Sequence, residues 1–290
     1  MRTTAFAPAK VNLYLRVGPP GPDGYHPIST LAVFADVGDR VTIEEATTSS
    51  FRITGPFAPA LNELDDNLVL RAIREFEAAT AMSLPPLAVT LDKELPVAAG
   101  LGGGSSDGAA ALRLLRDRYR PDMSDAELAS IALELGADGP MCLAARPVIA
   151  EGRGERLKPV HLASLWAVLV NPGVESPTPT VFRRFDELGR FSPLSDAHGA
   201  SGPGELSSDF RSAINDLEVA AVSLDSRVGE VLDWLRRQPE AELTRLSGSG
   251  ATSFALCQNE TSARSLVRRL QDEQPQWWSC VCRLGGPWDW

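Results

Sequence analysis

Between Lys10 and Val17 apolar and polar side chains alternate. Val11, Leu13, Leu15 and Val17 fall on one side of an extended chain, and Lys10, Asn12, Tyr14 and Arg16 on the other. A period of two predicts a β-strand with one apolar and one polar face, and it puts Lys10 and Asn12 on the same face. Further strands are expected over residues 31–36, 41–44 and 51–54. They lead to a helix that turns Leu68, Ile73 and Phe76 inward, with Asp65 or Asp66 as its cap. Leu87, Val89 and Leu91 alternate again. The run Ala109, Ala110, Ala111, Leu112, Leu114 and Leu115 then reads as a buried helix capped by Ser105 or Ser106. Ser124 and Glu127 have capping-box spacing ahead of Leu128, Ile131 and Leu135, and Gly136 is the stop.

In the second half, residues 165–170 read as a buried strand, and Thr178-Pro179 supplies the cap and first position of a helix with Phe182 and Phe185. Residues 189–208 are rich in Gly, Ser, Pro and Asp, the composition of an exposed, mobile connection. Two amphipathic helices follow through Leu217, Val222, Val228, Leu232 and Trp234. A glycine loop over residues 246–252 then lies between strands, before a helix over 266–270 and a last strand near Val281. This order suits an α+β fold with helices layered on a sheet face. A length of 290 residues fits two domains.

Between the strand ending near Leu91 and the alanine-rich helix lies Leu95-Pro-Val-Ala-Ala-Gly-Leu-Gly-Gly-Gly-Ser-Ser106, in which Gly100, Gly102, Gly103 and Gly104 crowd five positions. Backbone without Cβ atoms can take positive φ and approach another group closely. Such a loop running into a helix N-terminus aims N–H groups and the positive end of the helix dipole at one point, which suits phosphate oxygens. A valine at Gly103 is therefore expected to obstruct phosphate. The loop is not a Walker loop, since no lysine follows a glycine in the chain. Nor does it fit the dinucleotide pattern, since Ser105 stands where the final glycine belongs. A plain strand-to-helix turn does not need four glycines.

Composition narrows the partners. Net charge is −10, and no basic surface is evident to displace counterions from a nucleic acid, so no nucleic-acid partner is expected and an anionic ligand must be held locally. No apolar run approaches the ~20 residues that cross a bilayer, and the first ten residues lack the apolar segment of a secretion signal, so a cytoplasmic protein without a membrane partner is expected. Cys142, Cys257, Cys280 and Cys282 lack zinc spacing and read as reduced core thiols. Of 28 basic residues only Lys10, Lys93 and Lys158 are lysine, which marks them for chemistry that arginine cannot supply. Tyr25 and His26 end a turn-rich stretch as rings on a loop, suited to stacking and hydrogen bonding or to plain packing. Asp138 follows the helix stop at Gly136, beside a helix C-terminus whose dipole disfavours a carboxylate, so it needs a partner or a task.

Three separated motifs resemble the GHMP kinase superfamily: Leu95-Pro96 through Ser106 its central signature, Ser247-Gly-Ser-Gly-Ala-Thr252 its third motif, and Pro8-Ala-Lys10-Val-Asn12-Leu the start. Pro22-Asp-Gly-Tyr25-His26, Gly136-Ala-Asp138 and Asn215-Asp-Leu-Glu218 are similar to the members that phosphorylate a diphosphocytidyl methylerythritol in non-mevalonate isoprenoid synthesis. Gly108, where alanine is usual, and Gly139-Pro-Met-Cys142, in place of a more apolar and aromatic run, depart from that pattern.

The resemblance implies an α+β two-domain fold. A ribosomal-protein-S5-like domain over 1–156 carries the ATP-phosphate loop, and a ferredoxin-like layer over 157–290 completes the substrate site. It implies Lys10 and Asp138 as the catalytic pair and Pro96, Val97, Ala98, Ala99, Gly100, Leu101, Gly102, Gly103, Gly104, Ser105 and Ser106 as the nucleotide-phosphate loop. Asn67 and Lys93 fall on the adenine side, and Asn12, Tyr25, His26 and Phe182 on the substrate side, with the Tyr25 and Phe182 rings flanking cytosine. ATP with Mg²⁺ is implied, the metal held mainly by phosphate and water with no protein ligand marked, in a monomer or weak homodimer. Alternatives are a mevalonate-pathway or homoserine kinase, which has no reason to carry Tyr25-His26, and a sugar-sensing regulator that has lost catalysis, against which Lys10 and Asp138 speak.

Overall fold

The computed structural model describes residues 2–61, 67–194, 210 and 212–288. Its strands are β1 (Thr3–Val17), β2 (Ile28–Glu45), β3 (Ser50–Thr54), β4 (Leu87–Asp92), β5 (Val148–Gly152), β6 (Arg156–Pro159), β7 (Leu165–Asn171), β8 (Leu243–Leu246), β9 (Ser253–Cys257) and β10 (Trp278–Gly285). The helices are α1 (Leu68–Thr80), α2 (Gly103–Tyr119), α3 (Asp125–Leu135), α4 (Gly139–Ala144), α5 (Thr178–Leu188), α6 (Glu218–Leu224), α7 (Ser226–Arg236) and α8 (Glu260–Glu273).

One sheet runs β3-β4-β2-β10-β7-β9-β8, with β1 and the β5–β6 hairpin also joined through β2. The β10–β2 ladder, Leu284 to Ala35 and Gly285 to Phe34, joins the halves of the chain. The two strands expected over 31–36 and 41–44 are a single strand, β2. At Gly38 a Cβ would lie 2.2 Å from the Ala7 carbonyl oxygen, so glycine lets β1 cross close by without ending either strand. The β5–β6 hairpin had no alternation to announce it, because Val148, Ile149 and Ala150 are buried on both faces.

The first strand is also not half-solvated, as a polar face would suggest. Lys10, Asn12 and Tyr14 are buried, and register shifts between Pro8 and Lys10 and between Asn12 and Tyr14 break the alternation. Leu13 and Tyr14 consequently enter the same core, with Val33, Leu169 and Phe254. Helices α1 to α3 cover one sheet region through Phe76, Leu112, Leu115 and Leu128, and α7 and α8 cover another through Leu235, Leu266 and Leu270.

Three expected caps are corrected. Helix α1 is capped by the Asn67 side chain accepting from Val69 N, while Asp65 and Asp66 lie outside the described residues. Helix α2 starts two residues before Ser105, with left-handed Gly102 (φ 61°) as cap and no side-chain hydrogen bond there. Pro177 caps α5, and the Thr178 hydroxyl instead meets Ser249 Oγ at 3.0 Å. The Ser124–Glu127 capping box is present. Of the connection expected over 189–208, Ser192 N is tied to the Val17 carbonyl at 2.9 Å and Phe191 packs in a core, while 195–208 lies outside the described residues. All four cysteines are free thiols; Cys142, Cys257 and Cys282 are buried as expected of core thiols, while Cys280 is half-buried.

Candidate active site

The two glycine loops are built as one object. Gly100 (φ 73°) and Gly102 (φ 61°) take the left-handed backbone that glycine accepts without strain. Against them lies the loop between β8 and β9: Thr252 N donates to the Ala99 carbonyl at 3.0 Å, and Ser247 Oγ donates to the Gly100 carbonyl at 3.0 Å. Asn215 fastens the far side of that second loop through Nδ2 to the Leu246 and Gly248 carbonyls, at 2.9 and 2.7 Å. The middle of β1 is tied in as well, with Lys10 N donating to the Leu101 carbonyl at 2.8 Å. The loop amides and the α2 N-terminus therefore face a wall fixed by backbone hydrogen bonds and by the buried side chains of Ser247 and Asn215.

Below the loop sits a buried cluster of charges. Lys93 Nζ reaches Asp39 Oδ2 at 2.5 Å and Asp107 Oδ2 at 2.9 Å, and Asp39 Oδ1 accepts from Glu94 N and Leu95 N at 2.7 and 2.9 Å. The cluster spans both ends of the glycine loop. Burial opposes the Lys93 ammonium, but Asp107 and Asp39 outweigh it and raise its pKa. Burial pushes the Asp107 carboxyl from 3.8 up to about 7, with Lys93 pulling it down and Asp39 pushing it up.

An unfolded Asp107 carboxyl therefore loses its proton near pH 3.8, while the folded one keeps it to about 7. This group's contribution to stability is fully present below that lower pH and lost as pH rises through the window. Thermal denaturation between pH 4 and 7 checks it: Asp107→Asn should flatten the fall of Tm with pH, and an unchanged slope would assign the titration elsewhere. A Gly103 Cβ would point at this cluster, 3.0 Å from Lys93 Nζ. Valine at Gly103 would therefore also disturb Lys93 at the cleft wall.

At the centre, Lys10 Nζ lies 2.8 Å from Asp138 Oδ2 and donates to Asn12 Oδ1 at 3.0 Å, while Asn12 Nδ2 donates to Thr30 Oγ1 at 2.8 Å. A Cβ on Gly102 would come within 3.1 Å of the Lys10 side chain, so the first glycine loop lies directly against this pair. Asp138 is not stranded at a helix C-terminus. The turn after Gly136 makes it the N-cap of α4, where the dipole favours a negative charge. The unusual Gly139 is explained by packing, since a Cβ there would lie 1.9 Å from the Ala132 carbonyl oxygen. Cys142 is inert behind the pair, its thiol pushed up to about 12 by burial and by Asp138.

On the other side Tyr25 is 60% exposed, with the Arg153 guanidinium 4.4 Å from its ring centroid. His26 is buried, its Nδ1 2.8 Å from the Gly18 carbonyl oxygen, its Nε2 3.0 Å from Asp186 Oδ1, and its ring centroid 5.3 Å from that of Phe182. His26 thus secures the loop to α5 and steadies Phe182.

The catalytic, nucleotide-side and substrate-side candidates all line one cleft of about 1030 Å³ except Ser106, and Lys158, also marked by its rarity, stands exposed on β6 outside it. Ser106 is buried, its hydroxyl donating to the Pro8 carbonyl at 2.8 Å. Lys93 reaches the cleft wall with its ammonium already committed, and Asn67 with its Oδ1 serving as a cap. Sequence reasoning passed over Ser249, Thr178, Arg153 and Arg183, which also line the cleft. Ser249 lay within a motif already recognised; the arginines carried no local signal.

The GHMP kinases N terminal domain matches residues 67–145, and the GHMP kinases C terminal domain matches 198–276. A 4-diphosphocytidyl-2-C-methyl-D-erythritol kinase of Caulobacter vibrioides is 51% identical over 98% of this chain and all of its own length. One from Cereibacter sphaeroides is 44% identical over 98% of this chain and all of its own. A crystal structure of 4-(cytidine 5'-diphospho)-2C-methyl-D-erythritol kinase superposes with TM-score 0.78 at 32% identity, covering 98% of this chain and 100% of that one. The mevalonate kinase of Methanococcus jannaschii shares only the fold, with TM-score 0.66 at 13% identity over 99% of this chain and 98% of its own. With its two glycine loops locked together beside a lysine–aspartate pair, and with this similarity along its whole length, the chain belongs to the 4-diphosphocytidyl-2-C-methyl-D-erythritol kinase family of the GHMP kinases.

Proposed function

We propose that the cleft holds ATP against the glycine loop and a diphosphocytidyl methylerythritol against Tyr25, His26 and Phe182, and that Lys10 and Asp138 carry the transfer of the γ-phosphoryl to the substrate's 2-hydroxyl. The observation that carries this reading is the Lys10–Asp138 contact of 2.8 Å, in a cleft lined on one side by the glycine loop and on another by the rings of Tyr25, His26 and Phe182. The Asp138 side chain is 35% exposed and can meet a substrate hydroxyl while holding Lys10. It takes the hydroxyl proton as the new P–O bond forms. Lys10, anchored by Asn12, offsets charge on the transferring group, and the loop amides hold the phosphates in place before and after.

Mg²⁺ supplies further charge neutralisation when bound. No group of three or more His, Cys, Asp or Glu among the described residues could cage a metal ion, and Asp138 is engaged by Lys10. The donor set therefore fits an ion held by phosphate oxygens and water, with the Ser105 hydroxyl on the wall. Among the described residues no helix is long and apolar enough to cross a membrane; we place the enzyme in the cytoplasm, with its small polar substrates.

Steady-state kinetics test the base pocket. Tyr25→Ala should lose roughly 1–3 kcal/mol of stacking, or about tenfold to a hundredfold in KM for the diphosphocytidyl substrate. Tyr25→Phe should change it little. Equal losses for ATP and substrate, or none for either, would remove the cytosine pocket from this loop, and failure of cytidine to compete would favour another GHMP kinase activity.

A further inference from the structure

Arg153 lines the cleft on partners that are open to water. It sits at the tip of the β5–β6 turn between Gly152 (φ 73°) and Gly154 (φ 115°), and Glu155 Oε2 accepts from its backbone N–H at 2.6 Å, which fixes the turn. A Gly154 Cβ would lie 3.0 Å from the Ala137 carbonyl oxygen, so the turn packs against the residue preceding Asp138. From this base the Arg153 side chain reaches over Tyr25 and pairs with Asp23. Arg153 thus lies on a short connection between the aromatic side of the cleft and its reacting side.

The two lysines of the cleft are committed differently. Lys10 is buried against Asp138 and Asn12, and Lys93 is buried between Asp39 and Asp107. Arg153 and Asp23 have side chains 52% and 48% exposed, and ion pairs that open to water hold weakly. A guanidinium stacked on an aromatic face keeps its edge N–H groups for a planar anion or a phosphate, which it grips with two parallel hydrogen bonds.

A substrate with its base at Tyr25 and Phe182 and its hydroxyl at Asp138 must carry its diphosphate between them, past this turn. On the substrate reading given above, we propose that Arg153 is a specificity-determining residue that binds that diphosphate, exchanging Asp23 for phosphate oxygens while staying over the Tyr25 ring. In a chain of net charge −10 this provides the local positive charge that a polyanionic substrate needs.

Calorimetric titration of the full chain with cytidine 5'-diphosphate and with cytidine separates diphosphate recognition from support of the ring. Arg153→Gln should weaken the diphosphate by about tenfold or more at low salt, and cytidine by less than about twofold, with Arg153→Lys between the two. The diphosphate penalty should shrink as salt rises. Equal losses for both ligands would make Arg153 a support for Tyr25 and overturn the proposal. So would a diphosphate loss from Arg183→Gln with none from Arg153→Gln. If the unaltered chain bound neither ligand, the substrate reading itself would fall, and this inference with it.

Discussion

Asp138→Asn is expected to lower kcat by about 10²–10⁴-fold, the usual contribution of a general base, while ATP still binds. The carboxamide keeps the shape of the side chain, and its oxygen can still accept from Lys10 Nζ, which lies 2.8 Å from Asp138 Oδ2 in the native protein. What the amide cannot do is take a proton from an attacking hydroxyl. The variant should therefore fold, bind nucleotide in a direct titration, and fail only in turnover. A kcat above about a tenth of the native value would show that another group, or water, takes the proton. A loss confined to KM would turn Asp138 into a binding residue.

Gly100→Ala should be the most damaging single methyl group in the cleft. The added Cβ would lie 2.3 Å from the Ser247 carbonyl oxygen, 2.7 Å from the Gly250 carbonyl oxygen and 2.8 Å from Gly250 N, all of them backbone atoms that cannot rotate aside. Its φ of 73° adds strain for any side chain, roughly 1–2 kcal/mol. Strain and displacement together should cost about 3 kcal/mol or more, a fall in Tm on the order of 10 °C for a protein of this size. Turnover should drop as well, because parting the two loops also moves the Leu101 carbonyl that holds Lys10 N. Gly173→Ala is the control: its φ is 76° and nothing lies within 4 Å of its Cβ position, so it carries the strain without the clash. If both variants melt together in a thermal scan, the joint between the loops yields easily and does not hold the site in shape.

Much of this molecule can be read along the chain, and for one reason. The Ser124–Glu127 box, the alternation at Leu87, Val89 and Leu91, and the run of glycines leading into α2 are all made by residues within a few positions of one another, so the interactions that produce them are local. The same holds for Lys10 and Asn12, which share a face because strand geometry requires it. That these residues gather with Asp138, Tyr25 and Phe182 around one cleft followed from a resemblance, not from any periodicity.

Elsewhere the neighbours that matter are remote. Lys93 looked available for a ligand because its partners, Asp39 and Asp107, stand 54 and 14 residues away. The polar side of β1 looked solvated because nothing nearby in sequence covers it; Thr30 and Ser247, 18 and 235 residues from Asn12, do. Asp138 looked misplaced until the chain turned after Gly136 and made it the N-cap of another helix. Local pattern limits the conformation of a segment and the side it must bury. Which surface does the burying depends on packing between distant segments, and with it which lysine stays free, which carboxylate is paired and which arginine hangs over the mouth of the cleft.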